Sequence, residues 1–538
     1  MPGGPVATSA AFGATAPKSY LAGILMTAFA AFGGILFGYD TGTISGIIAM
    51  PDWLCSFGHP IRDPNGQLIF MDGVLQCAIT TAQSSLVVSI LSAGTFFGAL
   101  AGAPVADYMG RRMGIIFSSA VFCLGIALQT ASTKLPLFCA GRVFAGLGVG
   151  LVSCLIPMYQ SECAPKWIRG AVVSGYQFAI TIGILLANVF NNATHARRDH
   201  SSYRIPIAIQ FIWAAILAAG MLFLPESPRY LIKKRDSDGA ARAMGRLLSS
   251  PPDSLVVQSE LDIIKENLRE EEEIGQSSYL DCFRSGNNNL RFRVLTGIAL
   301  QAWQQLTGIN FIFYYGTTFF QNSGLKDPFI DSVATSVVNV GMTIPGIYFI
   351  ERIGRRDLLL IGAAGMVVCE YIVAIVGVTV SSENVAGQKV LIAFVCIYIA
   401  FFAATWGPIA WVVTGEIFPL NVRAKAISLA TASNWLWNWA IAFATPYLVI
   451  VGKGDAGLQV KVFFIWGSTC LGCLLFTYFC IPETKGLSLE QIDELYKRST
   501  PQTSKKVRLE LLAEERERER KISEKGDFDS HSDTKAEA

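Results

Sequence analysis

Residues 107–112 read DYMGRR, and the related string ERIGRR occupies residues 351–356. Two further signatures return in the same order and with conserved spacing: Glu162, Pro165 and Arg169 return as Glu416, Pro419 and Arg423, and Pro225-Glu226 returns as Pro482-Glu483. The three offsets, 244, 254 and 257 residues, are too similar to arise easily by chance. The pattern therefore predicts a chain that is built from two structurally equivalent halves.

Long apolar runs flank these strings. Hydrophobic types make up 52% of the 538 residues and charged types only 16%, well below the roughly 25% usual in soluble domains. A run of about 18 or more apolar residues can cross a bilayer, and it must do so as a helix because lipid offers the backbone no hydrogen bonds. Twelve spans are predicted, at residues 21–48, 83–107, 113–132, 135–161, 171–190, 205–224, 290–321, 329–350, 357–380, 389–415, 424–450 and 460–481.

The 84 charged residues are concentrated in two segments. Residues 225–293 hold 23 of them and residues 501–538 hold 19. The first segment separates six spans from six and is typical of short surface helices, whereas the end of the second is typical of disorder. The predicted domains are an N-terminal segment at 1–20, a six-helix bundle at 21–224, a helical linker at 225–289, a second six-helix bundle at 290–481 and a tail at 482–538.

Positive charge sets the expected orientation. The short loops that contain the repeated strings carry nine Lys or Arg, the opposite loops also carry nine, and the linker adds eleven to the first side. We therefore expect both termini in the cytoplasm and the first span to be an uncleaved signal anchor. The net charge of +2 argues against nucleic-acid binding, and no nucleophile–base pair, nucleotide loop or metal-ligand spacing favours an enzyme or a metal site.

Eleven motifs, spread over about residues 20–495, resemble the sugar-porter branch of the major facilitator superfamily, and most closely its fungal monosaccharide transporters. In order they are FGYDTG (37–42), DYMGRR, AGRVFAGLGVG (140–150), PMYQSECAPKWIRG (157–170), PESPRY (225–230), QQLTGIN (304–310), ERIGRR, WGPIAW (406–411), EIFP (416–419), SNWLWN (433–438) and PETKG (482–486). The resemblance implies an all-α fold of twelve transmembrane helices in two pseudo-symmetric bundles that work by alternating access. It implies a monomeric plasma-membrane transporter without a cofactor, with D-glucose favoured and other hexoses or xylose possible.

A sugar presents hydroxyls and a mildly apolar face, so its site requires amides and an aromatic ring rather than charges. By resemblance, the hydroxyls would bind the amides of Gln177, Gln304, Gln305, Asn310, Asn339, Asn434 and Asn438. Trp411 would lie under the ring, and Ile180 and Ile184 would form an apolar wall. The alternative is that these side chains only join helices to one another.

Asp40 bears on the mechanism because an ionised carboxylate in the first span needs a partner or a proton. Proton-coupled members of the family typically have Asp at this point of the motif, and facilitative members typically have Asn. Arg142 in the fourth span is the obvious partner, since Arg stays charged at any working pH. Opening and closing of the pair would couple one proton to one sugar. A permanent structural pair in an uncoupled facilitator is the alternative.

The repeated charged strings are expected to act as gates. In the first half the cluster would contain Asp107, Arg111, Arg112, Glu162 and Arg169, and in the second half Glu351, Arg355, Arg356, Glu416 and Arg423. Such clusters across cytoplasmic helix ends would hold the inner faces of the bundles together while the site faces outward. Ordinary topogenic charge is the alternative.

Three questions stay open at this point. Glu370 in the ninth span can take part in proton transfer, snorkel or face a neighbouring helix. Cys55 and Cys77 flank the first outer loop; proton-coupled plant relatives tie this loop to the C-terminal half, but the outer loops of that half contain no cysteine here, so only a bridge within the loop is possible. A sugar sensor is the rival function, although sensors on this fold tend to have a longer tail than the roughly 55 residues after Pro482.

Overall fold

The computed structural model describes residues 20–63, 67–71, 74–164, 169–274, 278–284, 289–322, 327–380, 384–419, 422–450, 455–487 and 489–517. The first half contains the helices α1 (Leu21–Ala30), α2 (Gly33–Ile47), α3 (Pro51–Phe57), α4 (Thr81–Met109), α5 (Arg111–Ala131), α6 (Leu135–Cys163), α7 (Arg169–Thr194) and α8 (Ser201–Phe223). Helices α1 and α2 together form one span. The loop before α4 contains two antiparallel ribbons, in which β1 (His59–Pro60) pairs with β4 (Cys77–Ala78) and β2 (Phe70–Met71) pairs with β3 (Val74–Leu75).

The linker and the second half are also helical. The linker contains α9 (Pro228–Lys233), α10 (Ser237–Leu248), α11 (Leu255–Ile274) and a 3-10 turn (Leu280–Phe283). The second half contains α12 (Leu290–Leu306), α13 (Ile309–Asn322), α14 (Pro328–Arg352), α15 (Arg355–Thr379), α16 (Val385–Ala404), α17 (Trp406–Glu416), α18 (Arg423–Val449), a 3-10 turn (Gln459–Lys461) and α19 (Val462–Cys480). Two further helices follow, α20 (Leu489–Arg498) and α21 (504–517).

The twelve spans coincide with these helices, and the twelve-helix fold is confirmed. Among the described residues, ten helical segments are long and apolar enough to cross a membrane by length and composition. The other two spans are the α12–α13 pair and α18, which carry the amide residues of QQLTGIN and SNWLWN. Their polar side chains lower the mean hydropathy, so the two least apolar spans are the two that hold most of the candidate site.

Besides the span formed by α1 and α2, two spans that the hydropathy predicts as continuous are interrupted in the structure. The span predicted at 290–321 breaks at Thr307–Gly308, and the span predicted at 389–415 breaks at Thr405. Gly308 has a φ of +81°, and Thr405 has φ −134° and ψ −82°, so neither residue continues a helix. A hydropathy run cannot reveal these breaks, because the residues on either side of them remain apolar.

Helices pack closely within and between the halves. A Cβ atom on Gly38 of α2 would lie 1.9 Å from the carbonyl oxygen of Ile180, so only glycine lets α2 approach α7 this closely. Between the halves, α4 lies along α18, α7 lies along α14, and α2 contacts α13. Residues of both halves belong to one continuous apolar core.

Helices α20 and α21, which together form the tail hairpin (residues 489–517), pack on the end of the second half at which α12 begins and α19 ends. Arg293, at the start of α12, is completely buried, forms an ion pair with Asp493 at 2.5 Å and lies 4.8 Å from the ring centre of Tyr496. Ser504 is also completely buried, and its hydroxyl accepts the backbone N–H of Glu483 at 3.0 Å. The tail hairpin is therefore a packed part of the fold rather than a projecting extension.

Candidate functional site

The QQLTGIN string positions three candidate residues by breaking the seventh span. A Cβ atom on Gly308 would lie 2.6 Å from the Trp466 ring, so both the space and the positive φ require glycine. Gln304 and Gln305 lie in the last turn of α12, and Asn310 lies in the first turn of α13. The break therefore brings amides from two helices to one point.

Backbone carbonyls at the break are held by side chains from other helices. The carbonyl of Leu306 accepts the Thr469 hydroxyl at 2.6 Å. The carbonyl of Thr307 accepts the Tyr398 hydroxyl at 2.7 Å and the Cys470 thiol at 3.7 Å. These donors from α16 and α19 supply hydrogen bonds to a backbone that is irregular at membrane depth, where lipid can supply none.

Six amide side chains form one connected hydrogen-bonded set, the amide network: Gln301, Gln304, Gln305, Asn310, Asn434 and Asn438. Gln305 is at its centre: its Nε2 donates to Oδ1 of Asn434 at 3.0 Å, and its Oε1 accepts the Nδ2 groups of Asn310 and of Asn438, the latter at 3.1 Å. Asn434 in turn donates to Oε1 of Gln301 at 2.7 Å and of Gln304 at 2.8 Å. The network is buried and uncharged.

Three members of this region were not identified from the sequence. Gln301 joins the network and also donates to the Thr414 hydroxyl at 3.0 Å. Its position one helical turn before Gln304 is the sequence feature that could have identified it. Tyr314 donates to Oδ1 of Asn438 at 2.9 Å, and Ser92 of α4 donates to the same atom at 2.6 Å. Ser92 carries no sequence signal, yet it is the residue that connects the network to the first half.

Gln177 and Trp411 lie at the boundary between the halves. A Cβ atom on Gly407 would be 3.4 Å from Nε2 of Gln177, and the Gly407 carbonyl accepts Nε2 of Gln304 at 3.0 Å. Gln177 is therefore next to the amide network. The Trp411 ring meets the Tyr176 ring edge-on, with centroids 6.1 Å apart, so α17 and α7 touch at this point.

Ile180, Ile184 and Asn339 are buried on α7 and α14. The backbone of Ile180 faces Gly34 and Gly38 of α2, and the backbone of Ile184 faces Gly42. Oδ1 of Asn339 has no hydrogen-bond partner within the part of the chain that the structure describes. None of the hydrogen bonds among the described residues joins these three to the amide network, and their role towards a sugar stays a prediction.

Asp40 of α2 and Arg142 of α6 lie beside each other, as expected from the sequence. Their carboxylate and guanidinium are 3.7 Å apart and each side chain is at most 2% exposed. This separation exceeds that of a hydrogen bond, so the contact is ionic. Gln210 of α8 faces the same carboxylate. Arg142 also interacts electrostatically with Tyr314, which donates to the amide network.

The first charged string forms a smaller cluster than expected. Arg111 pairs with Glu162 at 2.7 Å, as predicted. Asp107 does not join them, because it pairs with Lys233 of α9 at 2.9 Å. Arg112 was also expected in this cluster, but its guanidinium instead donates to the carbonyls of residues 221 and 222 at 3.0 and 2.6 Å. Those carbonyls belong to the last turn of α8 and have no partner within the helix.

The second half repeats this arrangement. Arg355 pairs with Glu416 at 2.9 Å and with Glu351 at 3.0 Å. Arg356, expected in the same cluster, instead donates to carbonyls at the end of α19, including that of Tyr478 at 2.8 Å. Arg423 donates to the Phe418 carbonyl, at 3.2 Å from Nε. The side chain of Arg169, the remaining predicted member, lies outside the described residues.

The repeated Pro-Glu strings hold the helix that follows each Gly-Arg-Arg string. Glu226 accepts the backbone N–H groups of Arg111 and Arg112 at 3.0 and 3.1 Å, and Glu483 accepts those of Arg355 and Arg356 at the same distances. Each carboxylate thus caps a helix N-terminus, where negative charge is stabilising. Burial raises the pKa of Glu226, and the backbone hydrogen bonds oppose that rise. Sequence reasoning noted this repeat but gave it no role.

The described Arg–Glu ion pairs of each cluster lie within one half, and the role of the clusters as gates between the halves stays a prediction. The second cluster also contacts the first half, because a Cβ atom on Gly170, in the first turn of α7, would lie 2.8 Å from Oε1 of Glu351 and 3.4 Å from a guanidinium nitrogen of Arg355. Towards the other end of the same two helices, Asn188 of α7 donates to Ser336 of α14 at 2.8 Å. The α7–α14 pair therefore connects the halves at both ends.

Two questions that the sequence left open are answered by the structure. Cys55 and Cys77 form a disulfide within the first outer loop. Glu370 is fully buried and faces Tyr398 and Cys470, so it contacts neighbouring helices and does not snorkel. No group of three metal-ligating side chains occurs among the described residues.

Comparisons with known proteins agree with this picture. The family model "Sugar (and other) transporter" matches residues 26–496. The chain is 55% identical to the major facilitator-type transporter ecdD of Aspergillus rugulosus, over 90% of this chain and 88% of that one. It is 46% identical to the probable glucose transporter rco-3 of Neurospora crassa, over 88% of this chain and 79% of that one. It is 43% identical to the high glucose sensor RGT2 of Saccharomyces cerevisiae, over 92% of this chain and 64% of that one.

A solved structure is similar over nearly the whole fold. The proton:xylose symporter XylE from E. coli, bound to 6-bromo-6-deoxy-D-glucose, aligns with a TM-score of 0.73 and 26% identity. The alignment covers 89% of this chain and 100% of the XylE chain.

Proposed function

The chain belongs to the sugar transporter family, and on this premise we propose that it takes up a monosaccharide together with one proton by alternating access of its two halves. It is a multi-pass membrane transporter and not an enzyme. D-glucose is the favoured substrate, because the similar Neurospora crassa protein is named a probable glucose transporter. The proposed location is the plasma membrane, with both termini in the cytoplasm and the monomer as the working unit.

The amide network is the observation that carries the sugar assignment. A hydroxyl both donates and accepts hydrogen bonds, as an amide does. Each hydrogen bond between two amides of the network can therefore be replaced by a hydrogen bond to a sugar hydroxyl. The network is uncharged, which suits a neutral ligand. It also reaches Ser92 of the first half through Asn438, so a sugar held there would contact both halves and could bias their relative position.

The proton coupling rests on Asp40 and Arg142. A buried carboxylate is stabilised by its cation, and protonation of Asp40 would leave Arg142 without its counter-charge. Arg142 interacts with Tyr314, and Tyr314 donates to Asn438 of the amide network. The proton-binding group is therefore linked electrostatically, through Arg142 and Tyr314, to the proposed sugar site. The similarity to a proton:xylose symporter supports the proposal.

Sugar-induced proton uptake by proteoliposomes tests the coupling. The wild-type protein should alkalinise the external medium when D-glucose is added. Asp40→Asn should abolish this signal but retain counterflow of labelled glucose, because Asn cannot take up the proton. Asp52→Asn is the matched control, since Asp52 is an outer acid that pairs with His200 at 3.1 Å. Equal alkalinisation in wild type and Asp40→Asn would instead indicate an uncoupled facilitator.

A sugar sensor is the second candidate function, because the chain is 43% identical to a high glucose sensor. A sensor binds sugar without carrying it across the membrane. Counterflow of labelled glucose in vesicles separates the two functions, since only a transporter exchanges the label. Competition by a panel of pentoses and hexoses in the same assay would rank the substrates.

A further inference from the structure

Glu370 is a buried acid that the proposed transport mechanism does not use. Its side chain is 0% exposed, and neither carboxyl oxygen is within hydrogen-bonding geometry of a described group. The titratable groups that face it are Tyr398 of α16 and Cys470 of α19, with Cys369 beside it on α15 and Cys473 one turn beyond Cys470. Helices α14 and α17 and the 3-10 turn Gln459–Lys461 also pack on α15; Lys461 of this turn does not act on Glu370, and no described cation faces Glu370 from any of these elements.

The two side chains that face Glu370 are also the two that hold the helix break. The Tyr398 hydroxyl and the Cys470 thiol both donate to the carbonyl of Thr307, at 2.7 and 3.7 Å. Thr307 directly precedes Gly308, where α12 ends and α13 begins. Glu370 is therefore one side chain away from the backbone that positions the amide network.

The charge of Glu370 would decide where the Tyr398 hydroxyl donates. An ionised carboxylate at membrane depth without a cation is costly, so the arrangement described here favours the protonated acid. A carboxylate is a stronger acceptor than a backbone carbonyl, because charge-assisted hydrogen bonds are shorter and stronger than neutral ones. Loss of the Glu370 proton would consequently draw the Tyr398 hydroxyl away from Thr307.

We propose that Glu370 is a second proton-binding residue, distinct from Asp40, which positions the amide network through Tyr398 and the Thr307–Gly308 break. When it is protonated, Tyr398 holds the Thr307 carbonyl and the break is fixed. When Glu370 releases its proton to solvent, the Tyr398 hydroxyl stays protonated and donates its hydrogen bond to the Glu370 carboxylate instead of to the Thr307 carbonyl. The break then loosens. Gln304 and Gln305 then leave the positions in which they contact Asn434. The inference rests on the proposed function in that the amide network binds the sugar.

The test uses the purified full-length chain in the Asp40→Asn background, which removes the first proton-binding group. D-glucose binding is measured by scintillation proximity between about pH 5 and pH 9, a range that spans the titration of a buried carboxyl. Asp40→Asn alone should lose affinity about tenfold as the pH rises, which corresponds to the loss of about one net hydrogen bond. Asp40→Asn/Glu370→Gln should change by less than about twofold, because Gln cannot ionise.

Tyr398→Phe provides a second variant that does not alter the acid. In the Asp40→Asn background it should bind weakly at every pH, since the Thr307 carbonyl has lost its hydroxyl donor. Identical pH profiles in the Asp40→Asn, Asp40→Asn/Glu370→Gln and Asp40→Asn/Tyr398→Phe proteins would overturn the inference.

Infrared spectroscopy tests the protonation step without any sugar. At neutral pH the difference between Asp40→Asn and Asp40→Asn/Glu370→Gln should contain the carbonyl band of one protonated carboxyl group. Absence of this band would overturn the inference whether or not sugar binds. Its presence, together with no glucose binding at any pH, would support the protonated acid and count against the proposed function alone.

Discussion

Gln305 is the residue on which the amide network depends most. Its two amide atoms contact three other amides, one on α13 and two on α18. Removal of one member of a buried polar network leaves the remaining members unsatisfied, so the cost exceeds that of a single hydrogen bond. The position of Gln305 in the last turn before the break makes these contacts possible.

We expect Gln305→Ala to weaken apparent sugar affinity by about 10- to 100-fold, the equivalent of two hydrogen bonds or fewer. Glucose counterflow, normalised to the amount of protein in the membrane, measures the change. Gln129→Ala is the matched control, because Gln129 is an equally buried amide on α5 that packs against α6. An equal loss in both variants would mean that Gln305 only stabilises the fold.

At the scale of residues, the sequence identified some members of the site and missed others. Gln304, Gln305 and Asn310 lie within one motif, so the resemblance identified them together. Ser92 and Tyr314 could not be found in this way, because serine and tyrosine are ordinary residues of membrane helices and their contact with Asn438 joins segments up to 346 positions apart. Such contacts follow from how helices pack, which no local pattern specifies.

At the scale of helices, the break between α12 and α13 determines the geometry of the site. Hydropathy predicts twelve spans correctly, because lipid requires every spanning segment to satisfy its own backbone. It does not predict the break, since the apolar run continues through Gly308. The caps supplied by Glu226 and Glu483 were missed for a different reason: each acid lies more than a hundred positions from the amides it binds.

Gly308→Ala should destabilise the protein by about 1–3 kcal/mol, the usual cost of a non-glycine residue in a left-handed conformation. The added methyl group would also meet the Trp466 ring, so sugar binding should weaken as the break shifts. Thermal unfolding in detergent and glucose counterflow measure the two effects.

Gly316→Ala is the control within the same span. A Cβ atom there would find its nearest neighbours at 3.6 and 3.8 Å, which is ordinary contact, and its φ is not positive. This variant should behave like the wild type. Equal behaviour of the two variants would contradict the requirement for glycine at the break.

At the scale of the whole molecule, the tail hairpin connects to the helix ends of the second bundle on the side of Glu483 and Arg356. Ser504 accepts the N–H of Glu483, the Pro501 carbonyl accepts Arg356 at 3.2 Å, and Lys505 pairs with Asp357 at 2.7 Å. The same Glu483 caps α15. The composition of the tail predicts disorder at its end, but it could not predict this docking, which depends on backbone groups of distant loops.

Deletion of residues 499–538 should lower stability by about 2 kcal/mol or more, since at least two such hydrogen bonds of about 1 kcal/mol each are lost. It should also slow transport, because the cap on α15 loses its support. Deletion of residues 518–538 leaves every described contact of the tail hairpin in place and serves as the control. Equal stability of the two truncated proteins, measured by thermal unfolding, would contradict this role.

The described Arg–Glu ion pairs lie within single halves, and this location has a consequence for the response to dissolved salt. The described contacts between halves are mainly neutral hydrogen bonds, such as that of Asn188 with Ser336 and that of Ser85 with the carbonyl of Phe443. Mobile ions screen charges over a Debye length of about 10 Å at 0.1 M but leave neutral hydrogen bonds unchanged. Counterflow rates should therefore vary little between low and high ionic strength, which would let the carrier work at similar speed in dilute and in saline surroundings.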